Sequence, residues 1–153
     1  MKLFKNGRMI LTTAGVIVLA GLSLALHAQK DQSTTTPGDT DTGVPMIIEG
    51  LVRDVACPMQ YHKVTATDFG LKCALACARA GSPLIILTRT DEIYFPISGV
   101  MPDPSQREKL MPFVGKFVRV TGIVYRRNGT RTIVIKKMNE LKGIKLNTTL
   151  GDD

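Results

Sequence analysis

The hydrophobic residues of this chain form one long run near the amino terminus, then give way to a polar stretch and to short alternating segments. The long run, residues 9–26, has no charge and follows a basic cluster of Lys2, Lys5 and Arg8. This pattern is typical of a signal peptide, and Ala28 supplies the small residue expected before a cleavage site. The alternative is an uncleaved anchor in the inner membrane, because the run of 18 residues is close to the length of about 20 apolar residues that spans a bilayer. Either interpretation predicts an exported protein, periplasmic or secreted.

Residues 29–45 are rich in Thr, Asp, Pro and Gly, and Val44 is their only large apolar residue. Such a composition offers too little apolar surface to offset the entropy lost on folding. The predicted organisation is therefore a signal peptide or anchor at 1–28, a disordered linker at 29–45, a folded domain at 46–146 and a flexible tail at 147–153.

Five segments of the folded domain show the alternation or the short apolar run of a β-strand: residues 46–54, 84–88, 92–97, 116–125 and 130–138. The last two flank Asn128-Gly129, a strong signal for a tight hairpin turn. Residues 102–112 contain a capping-box pattern, Ser105-Gln106-Arg107-Glu108, which predicts a short helix. Five strands with a helix between the third and the fourth predict a mainly β fold, an OB-like five-stranded barrel. A small β-sandwich and an open α+β sheet are the alternatives, because the order of strands does not define their pairing.

The insertion between the first two strands, residues 55–83, concentrates side chains that bind metals. Three cysteines and one histidine lie within 21 residues, at Cys57, His62, Cys73 and Cys77. Residues 69–80 predict a short helix with Asp68 as its N-cap and Gly81 at its end, so that Cys73 and Cys77 share one helical face. Three thiolates and one imidazole suit tetrahedral Zn²⁺, at ligand distances of about 2.0 to 2.3 Å. Cu(I) is the other candidate, since it prefers thiolates, and Met59 could replace or supplement His62.

The same cysteines permit a redox alternative in an exported protein. Cys57 would form a disulfide with Cys73 or Cys77, which leaves one thiol over and makes His62 an ordinary polar loop residue. The odd number of cysteines favours metal binding slightly, because pairing alone strands one thiol. The sequence leaves both a metal-bound cluster and a disulfide-bonded cluster open.

The charge of the chain is unevenly distributed. The formal net charge is +7, and residues 105–150 contain 11 basic and 2 acidic residues. The closing hairpin is the candidate site for an anionic partner, which would be a membrane surface, a polyanion or a protein. The residues that would bind it are Arg126, Arg127, Arg131, Lys136 and Lys137. Nucleic acid is a poor fit, because aromatic residues make up 5% of the chain and Trp is absent. A solvated basic face without a partner is the interpretation that the sequence favours.

No catalytic set emerges from the sequence. Outside the predicted signal segment, which holds His27, the chain has a single histidine, His62. A dyad of Cys57 and His62 would activate a thiolate, but no third group is placed to orient the histidine. The sequence therefore predicts a domain that is not an enzyme.

Three parts of the chain form an ordered pattern: Gly50-Leu51-Val52-Arg53-Asp54-Val55-Ala56-Cys57, then His62, Cys73 and Cys77, and then Gly115-Lys116-Phe117-Val118-Arg119-Val120-Thr121-Gly122. This pattern resembles that of a family of small exported bacterial proteins. The family pattern is Gly-x-Val-x-Asp-x-x-Cys, then a histidine, then Cys-x-x-x-Cys, and finally a Gly-Lys-x-Val-x-Val-x-Gly strand. The resemblance covers about residues 50–138 and implies an exported OB-like barrel with a Cys/His site, but it implies no activity. The polar positions that this chain shares with the pattern are Asp54, Cys57, His62, Cys73 and Cys77.

Overall fold

The computed structural model of the protein describes residues 40–151, so the predicted signal segment and most of the predicted linker lie outside the described residues. The described part consists of β1 (Thr40–Asp54), α1 (Ala56–Gln60), α2 (Leu71–Arg79), β2 (Leu84–Thr88), β3 (Ile93–Ile97), α3 (Arg107–Leu110), β4 (Phe117–Arg127) and β5 (Thr130–Glu140). A 3₁₀ turn, Met111–Phe113, follows α3. Within residues 40–151, no helix is both long and apolar enough to cross a membrane.

The five strands close into a barrel in the order β1-β2-β3-β5-β4, which confirms the predicted five-stranded OB-like architecture. β3 and β5 are parallel, and the other neighbouring strands are antiparallel. β1 pairs with β2 and β4 at the same residues, Gly50 and Leu51. A side chain at position 50 would collide with the carbonyl group of Leu87. Glycine therefore lets β1 pass close to β2 where the barrel closes.

β1 is longer than the sequence pattern predicts, because it begins at Thr40 rather than at residue 46. Val44 and Pro45 belong to the predicted linker, yet they pair with Val124 and Ile123 of β4. The polar composition of this segment does not reveal the pairing, because the partners that satisfy its backbone lie about 80 residues later in the chain.

The helix predicted between β3 and β4 and the turn predicted between β4 and β5 are both confirmed. The predicted helix is present as α3, although its N-cap is Gln106, and Ser105 Oγ accepts the backbone N–H of Arg107 at 3.2 Å. Asn128 and Gly129 have φ angles of 48° and 77°, the left-handed conformation that a two-residue hairpin turn requires. β4 and β5 therefore form the predicted closing hairpin.

The apolar core includes part of the insertion. Burial alternates along β4, whereas every residue of β2 is buried. Phe69, Ala74 and Ala78 join the barrel residues in one core cluster. α2 is thus packed onto the barrel through its small buried residues, and its cysteines are held at a defined place beside β1.

Candidate metal centre

The end of β1 positions the first cysteine. β1 ends at Asp54, which is completely buried. Asp54 Oδ1 accepts the backbone N–H of Cys57 at 3.0 Å. Since α1 has only five residues, too few to be stable by helix propensity alone, this bond to the barrel strand fixes the position of Cys57.

α2 carries Cys73 and Cys77 on one face, as the sequence predicts, and it ends where the sequence predicts. Gly81 has a φ of 101°, and its N–H donates to the carbonyl of Ala78 while the N–H of Ser82 donates to that of Cys77. These two bonds form a Schellman motif, which commonly terminates helices. The turn that holds Cys77 is therefore well defined.

The start of α2 differs from the prediction. The helix begins at Leu71, two residues later than predicted, and Asp68 is not its N-cap. Asp68 Oδ1 instead accepts a hydrogen bond from Asn147 Nδ2 at 3.0 Å, and the N–H of Leu71 donates to the carbonyl of Thr148 at 2.9 Å. Residues 147–150, predicted to be a flexible tail, thus satisfy an amide that the helix start would leave free. Such long-range pairing has no local signal in the sequence.

Three cysteines meet in one group, the thiol cluster, which consists of Cys57, Cys73 and Cys77. Their Sγ atoms all lie within 4.8 Å of one another, and those of Cys57 and Cys73 are 3.1 Å apart. Thiolates about 2.3 Å from a zinc ion lie about 4 Å from each other, so small side-chain movements suffice to hold an ion. Cys57 is buried and Cys73 is exposed, so the thiol cluster reaches from the interior to the solvent.

The structure brings together three of the four predicted metal ligands. His62 lies in a turn after α1 with an exposed side chain, and it is not part of the group of ligand atoms within 4.8 Å. Met59, the predicted additional ligand for Cu(I), is 68% exposed. Within residues 40–151 the thiol cluster therefore supplies three sulfur ligands, one fewer than a tetrahedral ion takes.

Two thiols of the cluster, those of Cys57 and Cys77, resist ionisation. Burial raises the pKa of Cys57 well above its usual range, and the hydrogen bond with Cys73 and the negative charge of Asp54 act in the same direction. The positive charge of Arg53 opposes them and lowers that pKa. Burial is also the main reason why the pKa of Cys77 is raised. Both thiols are protonated at neutral pH in the metal-free chain, and an ion must displace their protons to bind.

A buried ion pair adjoins the thiol cluster. Arg53 is 1% exposed, and its Nη2 lies 3.1 Å from Asp54 Oδ2. Its guanidinium group also lies over the ring of Phe69, 5.8 Å from the ring centre. Arg53 is not among the site residues predicted from the sequence. Strand parity does not identify it as an interior residue, because Ile47 and Glu49 have the same parity and are 64% and 39% exposed.

The predicted anion-binding residues all lie on the β4–β5 hairpin, but two of them contact other side chains of the protein. Arg131 forms an ion pair with Glu92 at 3.0 Å, and Arg126 Nη2 contacts the sulfur of Met46 at 3.8 Å. The exposed members of the set are Arg127, Lys136 and Lys137. The surface that an anionic partner would meet first is therefore smaller than the sequence suggests.

No protein-family model, curated protein or solved structure matches this chain. The interpretation of the thiol cluster therefore depends on its own residues and geometry.

Proposed function

We propose that the protein is an exported, non-catalytic binder of one thiophilic metal ion, which the thiol cluster holds. The observation that carries the proposal is the approach of three cysteine Sγ atoms to within 4.8 Å of one another. Thiolates are preferred ligands of both Zn²⁺ and Cu(I) in proteins. We favour zinc, because three thiolates leave one tetrahedral position for a further ligand.

The exposure of the thiol cluster favours a carrier role over a structural one. Structural zinc sites are usually closed by four protein ligands, whereas this cluster offers three and Cys73 is exposed. An ion held there would be accessible for transfer to another molecule. The predicted signal segment and the family resemblance support export, and the position of His62 outside the thiol cluster supports a non-catalytic role.

Native intact mass of the purified, reduced chain after incubation with zinc tests the proposal. We expect one zinc ion per chain and three thiols that react with iodoacetamide only after the metal has been removed with a chelator. Cys77→Ser should weaken zinc binding by about tenfold or more, or roughly 1.4 kcal/mol, because it removes one of three thiolates.

Ala76→Ser is the matched control for that variant. It introduces the same hydroxyl group at the neighbouring exposed position of α2 and removes no thiol, so its zinc affinity should equal that of the parent. A parent chain that retains no zinc contradicts the proposal. So does a Cys77→Ser variant that binds zinc as tightly as the Ala76→Ser variant.

A second candidate function is favoured by the distance of 3.1 Å between the Sγ atoms of Cys57 and Cys73. In an oxidising compartment, a short side-chain movement would allow these two cysteines to form a disulfide. The protein would then be a disulfide-stabilised interaction module whose basic hairpin binds an anionic partner. The chain as purified from its export compartment, without added reductant, separates the two candidates under denaturing conditions. The disulfide predicts a mass lower by two hydrogen atoms and a single reactive thiol, at Cys77, whereas the metal site predicts three reactive thiols once a chelator has removed the metal.

A further inference from the structure

A cavity of about 360 Å³ lies beside the thiol cluster and shares Cys57 and Cys73 with it. This volume falls in the lower part of the range of small-molecule sites. Val64 and Leu150 add apolar groups to its lining, and the exposed side chain of Lys63 adds a positive charge. The cavity therefore combines sulfur, apolar and cationic groups in a space suited to a small organic molecule.

Arg53 also lines this cavity, and its guanidinium group is only partly satisfied. Its Nε and Nη2 donate to Asp54, whereas Nη1 is buried without a hydrogen-bond partner among the described residues. Because Arg53 is 1% exposed, water compensates little for the missing bond. A buried donor left without an acceptor is unfavourable. Because Arg53 lines the cavity, a small shift of its side chain towards the cavity would let an acceptor bound there remove that cost.

A carboxylate is the acceptor that fits this donor best. Its two oxygens match the planar geometry of a guanidinium group. Asp54 already balances the charge of Arg53, and Lys63 adds one positive charge that offsets the net negative charge of three thiolates around Zn²⁺. The cavity is therefore close to neutral, which suits a monoanion better than a phosphate dianion. The apolar side chains of Val64 and Leu150 favour an organic body over an inorganic anion.

We propose that the cavity binds a small organic thiol that carries a carboxylate group. The carboxylate pairs with Arg53, and the sulfur takes the fourth position on the ion held by the thiol cluster. The thiol displaces a water molecule from the ion, and its proton passes to the solvent. The sulfur contact rests on the proposed function, whereas the carboxylate contact rests on Arg53 and the cavity alone.

Calorimetric titration with three matched probes tests this inference on the zinc-loaded chain. The compound 3-mercaptopropionate carries both groups, 2-mercaptoethanol lacks the carboxylate, and propionate lacks the thiol. We expect 3-mercaptopropionate to bind about tenfold more tightly, or more, than either other probe, the lower end of the effect of a charge-assisted hydrogen bond. Equal binding of the two thiols overturns the carboxylate contact. Equal binding of 3-mercaptopropionate and propionate overturns the sulfur contact.

Two variants locate the carboxylate contact. Arg53→Met should abolish the preference for 3-mercaptopropionate over 2-mercaptoethanol, but it leaves the buried Asp54 unpaired and can unfold the chain. Lys63→Glu is therefore the second variant, because this side chain is exposed; it should weaken 3-mercaptopropionate selectively. Lys142→Glu is the matched charge control, since Lys142 is exposed and outside the cavity lining. Equal weakening by both lysine variants overturns the assignment to this cavity.

The failure of this inference and the failure of the proposed function give different results. If native mass finds no zinc, the proposed function and the sulfur contact both fail. Propionate binding to the metal-free chain then still decides the carboxylate contact: binding that Lys63→Glu weakens supports it, and no binding overturns it. If zinc is retained but the two thiols bind equally, the inference alone fails.

Discussion

Replacing Asp54 with asparagine tests how the candidate site is built into the barrel. Asp54 is completely buried, lies 3.1 Å from Arg53 Nη2 and accepts the N–H of Cys57 at 3.0 Å. Asparagine keeps the shape and one accepting oxygen but removes the charge, so Arg53 becomes a buried cation without a counterion. Breaking a buried ion pair by removing one partner costs about 3–5 kcal/mol. We expect Asp54→Asn to lower the free energy of unfolding by about 3 kcal/mol or more.

Glu49→Gln is the matched control, because Glu49 forms another arginine–carboxylate pair from the same strand. Its Oε1 lies 2.6 Å from Nη2 of Arg119, but the two side chains are 39% and 56% exposed. Solvent screens this pair, so its loss should cost no more than about 1 kcal/mol. Urea titration of the reduced, metal-free chains, followed by circular dichroism, measures both costs. Equal losses in the two variants would refute the reasoning that burial makes the Arg53–Asp54 pair different.

The double variant Arg53→Met with Asp54→Asn separates the charge of the pair from its shape. It removes both charges and should recover part of the stability that Asp54→Asn loses. The charge of Asp54 also raises the pKa of Cys57, so Asp54→Asn alone should speed the reaction of Cys57 with iodoacetamide at neutral pH. If Asp54→Asn changes neither the free energy of unfolding nor the rate at which Cys57 reacts with iodoacetamide, the buried pair neither stabilises the barrel nor suppresses the ionisation of Cys57.

The barrel was predictable because its strands carry their signals locally. The alternation along β4 matches the burial of its side chains, and the two buried residues of β5, Ile133 and Val134, lie in its short apolar run. Asn128-Gly129 adopts the positive φ angles that its residue types favour. The short apolar run at 84–88 corresponds to β2, in which every residue is buried. The early start of β1 was not predictable in this way, because Val44 and Pro45 owe their strand conformation to pairing with β4.

The thiol cluster was predictable only in part. Helical periodicity places Cys73 and Cys77 on one face, but the approach of Cys57 depends on a tertiary arrangement in which Asp54 joins the end of β1 to α1. Charged residues are rarely fully buried, so composition gives no reason to place Arg53 inside. Its burial becomes intelligible only when the ion pair with Asp54 and the ring of Phe69 are seen together. The cavity beside the cluster was not predictable either, because its lining residues, from Arg53 to Gly151, are far apart in the sequence.

Three further predictions concern the basic hairpin and the thiol cluster. Replacing Lys136 and Lys137 with glutamine should make the chain leave a heparin column at lower salt, and a parent chain that is not retained would exclude an electrostatic partner. His62→Ala should leave the zinc affinity within about threefold of the parent, whereas a loss of tenfold or more would make His62 the fourth ligand. Because burial raises the pKa of Cys57 and Cys77, zinc must release their protons, and its apparent affinity should rise from about pH 6 to about pH 8 by about tenfold per pH unit for each proton released. Competition with a chromogenic chelator measures how the zinc affinity changes with pH. A zinc affinity that does not change with pH would mean that the thiols of Cys57 and Cys77 are already ionised, which would contradict their raised pKa values.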